Sequence, residues 1–247
     1  MKKLTVLFII SILIVSCKNE SKKEIKKEVY PEQLGKVFKT HGGLTTWDKI
    51  KTLSFNKGEE IHTVDLHSRK TVINSPKYSL GFDGDNVWID ENEKGSYTGN
   101  PTFYYNLYFY FYAMPFVLAD DGIIYEKVAP ISYAGVIYPG YKISFNASIG
   151  NSPDDHYIVY YNSKTFKMEW LAYTVTFTSK KPNSKFHIIR YNKWENLSGL
   201  LLPKEITWYK MSEGGLPIEP EKSIIEFTLP LASHGKLPSS FFEKPLK

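Results

Sequence analysis

From Leu53 onward apolar positions recur with a period near two and are broken every ten residues or so by turn-forming residues, the pattern of a β meander. It predicts strands near 52–57, 59–66, 69–74, 77–82, 86–90, 94–98, 123–129, 136–147, 156–161, 167–179, 185–195, 201–210 and 221–229. Sequential hairpins imply an antiparallel sheet. Asp83-Gly84, between YSLGF and NVWID, predicts a two-residue turn with positive φ at both central positions, and Gly199 predicts another between the last long strands. Ahead of the strands the period is 3.6. PEQLGKVFKTHGG places Leu34, Val37 and Phe38 on one helical face, with Pro31 in the first turn and Gly42-Gly43 as the stop. A second short helix is expected in TTWDKIKTL, capped by Thr45 or Thr46, with Trp47 and Ile50 facing inward.

One segment interrupts the meander. Between Asn100 and Phe116 nine of seventeen residues are Phe or Tyr. Asn100 suits an N-cap and Pro101 a first helical position, so a helix is predicted, broken or kinked near Pro115. A helix apolar on most of its circumference must be covered on several sides, which makes this one a plug for the open face of a curved sheet. Packed core is the plain alternative. The hydroxyls of Tyr104, Tyr105, Tyr108, Tyr110 and Tyr112 need partners if buried, and an amphipathic wall of this kind suits a ligand lid or cavity lining. Tyr104, Tyr105, Tyr108, Phe109, Tyr112 and Phe116, with Trp170 and Tyr173 from a long strand, are the candidate ligand-binding residues. Phe177, Trp194 and Trp208 are further candidates for the concave face, although alternation alone leaves the inward face open.

The first residues change the picture of where such a fold works. Lys2 and Lys3 precede an apolar run, Leu4 to Val15, and Ile14-Val15-Ser16-Cys17 has the form of a lipobox. A spanning helix needs about 20 apolar residues and this run is shorter. Residues 1–16 therefore read as a lipoprotein signal peptide and Cys17 as the lipidation site. Residues 17–30 are a charged, flexible tether, and 31–247 form a single domain. Cys17 is the chain's only cysteine, so its lipidation leaves no thiol for a disulfide, redox chemistry or a cysteine metal site. The net charge of +5 comes mostly from leader and tether. With Arg69 and Arg190 the only arginines, the body has no basic surface suited to nucleic acid.

Candidate chemistry is sparse. In Ser152 to Tyr157 (SPDDHY), Asp154, Asp155 and His156 carry metal-ligand groups, but neighbours on a strand point in different directions, and a turn explains them better. In EEIHTVDLHSR, Glu60 and His62 share one strand face and Asp65 and His67 the other, which favours cross-strand polar pairing over a metal site. Asp83-Gly84-Asp85-Asn86 begins like a calcium loop but has Trp88 where the glycine belongs. Asp120-Asp121 reads as a solvated helix end before Gly122. No hydrolase, zincin, P-loop or dinucleotide motif is present, and no metal or cofactor is expected.

THGGLTTWDKIKTLSF, FDGDNVW, YYNSKTFKMEWLAYT and GLLLPKEITWY occur in the order seen in the LolA-like and LppX-like envelope proteins, which this chain resembles. HTVDLHSRK, NLYFYFYAMPFVLAD, SPDDHYIVYY and MEWLAYTVTF are similar to an uncharacterised Bacteroidota lipoprotein family, domain of unknown function 6503, and the resemblance runs from Pro31 to Pro245. It implies a mainly β (α+β) fold: a strongly curved antiparallel sheet forming an incomplete barrel, with an N-terminal helix and an aromatic-rich helical lid. It implies a hydrophobic or acyl-chain ligand and supplies no reaction. LolA itself is a soluble carrier, so its shuttling does not transfer to a chain tethered at Cys17. The expected protein is a monomeric, non-enzymatic envelope lipoprotein. Its expected place is the outer membrane facing the periplasm, with a ligand in the half-barrel cavity. The alternatives are a protein-interaction module with a filled core and a lipid or glycan hydrolase.

Overall fold

The computed structural model describes residues 30–145, 156–177 and 185–246. The lipobox, most of the tether and Ser152 to Asp155 lie outside the described residues.

Helix α1 (Glu32–Thr40) buries Leu34, Val37 and Phe38, and Pro31 is its N-cap, one position before the expected place. Helix α2 (Leu44–Lys49) is capped by Gly43 rather than a threonine, because the Thr46 hydroxyl donates back to the Gly42 carbonyl at 2.8 Å. Gly42 has φ of 112°, and a Cβ there would strike the Gly199 carbonyl, so glycine is required on both counts. Trp47 and Ile50 are buried as expected.

Among the described residues twelve strands follow: β1 (Thr52–Lys57), β2 (Glu60–Asp65), β3 (Thr71–Asn74), β4 (Tyr78–Phe82), β5 (Val87–Glu91), β6 (Ile123–Tyr133), β7 (Val136–Phe145), β8 (Tyr157–Tyr161), β9 (Met168–Tyr173), β10 (His187–Leu197), β11 (Leu200–Met211) and β12 (Pro217–Ser233). The expected strand at 94–98 does not form. Its residues turn instead, with Gly95 at φ 84° and the Ser96 amide donating to the Glu93 carbonyl. The β4–β5 turn centres one residue later than predicted. Gly84 alone has positive φ there, and Asp83 Oδ1 accepts from the amides of Asp85 and Asn86. Between β10 and β11, Ser198 and Gly199 both take positive φ, the two-residue turn that Gly199 predicts.

The strands form one open antiparallel sheet in the order β5-β4-β3-β2-β1-β12-β11-β10-β9-β8-β7-β6. Chain neighbours are sheet neighbours except at one join, from β5 to β6. β12 returns to pair with β1, and the segment between β5 and β6 crosses from one edge of the sheet to the other. That crossing segment is the aromatic one. Long β12 pairs with β11 through its first part and with β1 through its last, and an extra residue opposite Ser54–Asn56, near Leu229 at φ 48°, bends it between the two.

The crossing segment is not one helix. It divides into α3 (Pro101–Tyr104), α4 (Leu107–Tyr112) and a 3-10 turn at Phe116–Ala119, breaking at Tyr105-Asn106 as well as at the cis Met114-Pro115 bond. Asn100 caps α3 as predicted, its side chain accepting from the Phe103 amide. Phe111 reaches Tyr173 of β9 and Trp208 of β11 (centroids 5.3 and 6.1 Å), while the next residue, Tyr112, meets Phe55 of β1 and Phe227 of β12 (4.2 and 4.9 Å). One turn of helix touching strands that far apart in the sheet order is the direct sign of the sheet's curvature. The main core lies between this concave face and α1, α2 and the lid. A smaller core sits on the other face, where the tip of the β6–β7 hairpin brings Tyr133 and Tyr138 over Trp170.

Candidate functional site

The lid's rings fill the hollow. Phe109, Phe111, Tyr112 and Phe116 are 0–3% exposed, and Phe116 stacks on Trp47 at 4.8 Å with planes 7° apart. Backbone carbonyls in the lid are held by tyrosines of the floor: Tyr191 donates to the Phe111 carbonyl (3.1 Å) and Tyr125 to that of Leu118 (2.7 Å). The greasy space expected beneath the lid is therefore occupied by the chain's own side chains. Among the described residues the buried Tyr112 hydroxyl has no hydrogen-bond partner.

Polar groups fasten the lid at both ends. At the first, Lys57 and Glu60 face each other across the β1–β2 hairpin at 2.8 Å, the cross-strand pairing that the alternation implies. The Glu60 carboxylate also accepts from Tyr78 (2.6 Å), His62 Nε2 (3.1 Å) and the lid's Tyr104 (2.7 and 2.9 Å). Lys57 donates to the Tyr104 hydroxyl at 2.9 Å and lies 4.5 Å from the centre of the Tyr108 ring. Burial alone would raise the Glu60 carboxyl, but these donors outweigh it and hold it well below the ordinary carboxylate range. Burial, reinforced by the Glu60 charge, pushes the Tyr104 and Tyr78 phenols far up and Tyr97 up to about 12. His62 goes the other way: burial lowers its pKa more than Glu60 raises it, so the ring is neutral, stacked on Phe55, with Nδ1 unpartnered.

At the second end the expected solvated carboxylate is instead engaged. Both oxygens of Asp120 lie 2.6 and 2.7 Å from Arg69 Nη2, and the guanidinium sits 5.1 Å from the Phe109 ring centre. A cleft of about 200 Å³ opens beside this pair, lined by Leu44, Trp47, Leu66 and Phe116 as well as by Arg69, Asp120 and a second carboxylate, Asp48. Its inner wall is made by rings that belong to the core.

The other candidates divide by face. Tyr105 packs on Phe82 (5.0 Å), Tyr173 accepts from Trp208 Nε1 (2.9 Å), Phe177 meets Phe103 of the lid (5.1 Å), and Trp194 covers His41 (4.4 Å), all on the lid's side of the sheet. Trp170 does not join them. Three residues from Tyr173 on one strand, it points to the opposite face, packed against Tyr133, Tyr209 and Arg190. His156 continues the β8–β9 pairing, exchanging hydrogen bonds with Thr174. Lys57, Tyr78, Arg69 and Asp120 escaped the sequence reading as lid contacts. The usable signal was the charge alternation at Lys57–Glu60, but its aromatic partners come from remote positions. Among the described residues no three His, Cys, Asp or Glu side chains gather as a metal site, and no helix is long and apolar enough to cross a membrane.

Comparison with solved structures finds an extended but shallow likeness. A LolA superfamily protein from Nitrosomonas europaea aligns over 84% of this chain and 96% of its own at 9% identity and a TM-score of 0.41. A DUF1329 family protein from Desulfovibrio piger aligns over 84% and 95% at 9% identity and 0.39. A domain described as an outer membrane lipoprotein-sorting protein, from Vibrio parahaemolyticus, aligns over 82% and 97% at 5% identity and 0.36. Likeness of this degree carries no argument about ligands. No curated protein matches the chain. Residues 82–202, which contain β5, the lid and β6 to β10, match the family described as a family of unknown function, DUF6503, a shorter stretch than Pro31 to Pro245.

Proposed function

We propose that this chain is an envelope protein, lipid-anchored at Cys17, that binds a hydrophobic or acyl-chain ligand in the hollow of its sheet, where the lid's rings stand in for the ligand when none is bound. The observation that carries this reading is the cleft beside Arg69 and Asp120, whose inner wall is the buried Trp47 and Phe116 side chains, at the end of a lid built only from helical pieces too short to be stable alone. The lid is a plug fastened at its ends, and lifting it exposes an apolar floor. The physical logic needs no covalent chemistry. Its test is native mass spectrometry of the unlipidated body with palmitate: one bound molecule per chain is expected, and the absence of any adduct with palmitate or a palmitoyl lysophospholipid contradicts it.

A second reading draws on the filled hollow together with the exposed apolar residues Ile218, Ile224, Leu229 and Leu231 along β12. In it the sheet is a rigid, ligand-free module whose outer strip meets another protein. Loss of a partner's binding in Leu229→Lys/Leu231→Lys, with no lipid adduct, favours this reading over the first.

A further inference from the structure

A second cleft, of about 350 Å³, lies next to the first, between the β2–β3 turn and the C-terminal segment. Its lining is Asp65, His67, Ser68, Lys70, Lys236, Leu237, Ser239 and Phe242, and His67 borders both clefts. The walls are fixed. Phe242 is buried against Val72 and Trp88, with its carbonyl accepting from Trp88 Nε1 at 2.8 Å, and Lys70 Nζ spans to Ser239 Oγ at 3.4 Å. Among the described residues neither the Lys70 nor the Lys236 ammonium is in an ion pair. The one carboxylate in the lining is already committed: Asp65 Oδ1 accepts from the amides of His67 and Ser68 and from the Ser68 hydroxyl. Lys236 lies near the Asp65 charge and Lys70 near that of Asp83, but neither ammonium is ion-paired, and with the Ser239 hydroxyl they give the cleft the donors an anion needs.

We propose that this cleft binds an anionic group of the phosphate or carboxylate class, so that the ligand of the neighbouring hollow is an anionic amphiphile. Its head lies at Lys70 and Lys236, and its tail passes His67 toward Trp47 and Phe116. The tail half rests on the lid reading above; the head half stands on the cleft alone. The sites adjoin at the β2–β3 turn, where Arg69, at φ 62°, and Lys70 are consecutive and reach apart, one to the lid and one to the C-terminal turn.

Calorimetric titration of the unlipidated body with inorganic phosphate, dodecyl phosphate and dodecyl maltoside, the two dodecyl compounds below their micellar concentrations, separates the two halves. Dodecyl phosphate is expected to bind at least tenfold tighter than either of the others, and Lys70→Ala/Lys236→Ala is expected to remove that tenfold while leaving dodecyl maltoside unchanged. Equal binding of the two dodecyl compounds, unaffected by the double substitution, overturns the anion site and leaves the hydrophobic site standing. Equal binding of phosphate and dodecyl phosphate, both lost in the double variant, keeps the anion site as a receptor for a free anion and refutes the tail. No binding of any of the three overturns both.

Discussion

His41 offers a sharp test of how α1 is joined to the sheet. The ring is 0% exposed, its Nδ1 donates to the Leu201 carbonyl at 3.1 Å, and its Nε2 accepts from the Met168 amide at 3.1 Å, so both nitrogens are used and only the neutral ring fits. Burial, against a smaller opposing pull from the Leu201 carbonyl, lowers its pKa from 6.5 to about 4. The folded state thus binds fewer protons than the unfolded chain between those values. The His41 contribution is therefore complete above pH 6.5, declines as pH falls through the window and is gone near pH 4. At 1.36 kcal/mol per unit the total is about 3 kcal/mol. Urea unfolding at closely spaced pH values from 7 to 4 should show a wild-type slope approaching 1.4 kcal/mol per pH unit from this ring, plus a share from His62, which burial also lowers. His41→Gln keeps a hydrogen-bonding group without a titration. It should be less stable than the wild type at pH 7 by about 1–3 kcal/mol, with the two curves converging toward pH 4. A variant that keeps the full wild-type slope refutes the reasoning, because His41 would then titrate alike in both states.

Three other substitutions probe the lid and its fastenings. Glu60→Gln strands Lys57 in a part-buried site and should cost about 3 kcal/mol in urea unfolding at pH 7; because the folded carboxyl sits below its ordinary 4.5, the difference should shrink as pH falls below that value, and a pH-independent difference counts against it. Phe116→Ala removes a ring stacked on Trp47 and should cost roughly 3–5 kcal/mol, so a loss under about 1 kcal/mol would mean the lid is not seated there. Tyr112→Phe deletes a buried hydroxyl without a partner and should leave stability unchanged or raise it by about 1 kcal/mol, whereas a marked loss would reveal a hydrogen bond the structure lacks.

Strand positions were legible because side-chain alternation is imposed by the pleat itself, and twelve of the thirteen expected strands stand where the period of two places them. The exception, 94–98, has Gly95 in positive φ, a backbone choice that hydropathy does not register. Asn100-Pro101 marked the start of the lid and Pro115 its later break for local reasons, but the break at Tyr105-Asn106 did not follow from local signals. Which face of the sheet is concave lay beyond the sequence, since alternation fixes only that Trp170 and Tyr173 oppose each other and says nothing of which one meets the lid. The fastenings were hidden for the same reason. Glu60 meets Tyr104 only because the chain crosses the sheet from β5 to β6, and Arg69 meets Asp120 only because that crossing ends beside the β2–β3 turn.

The central claim is that a ligand takes the place of the lid's rings, and amide hydrogen exchange of the unlipidated body with and without saturating palmitate addresses it most directly. Exchange across 107–119 should speed up on binding while β10 and β11 beneath become better protected. Identical exchange in both samples, with palmitate present in excess, would mean that the plug never leaves its seat and that the hollow is simply core.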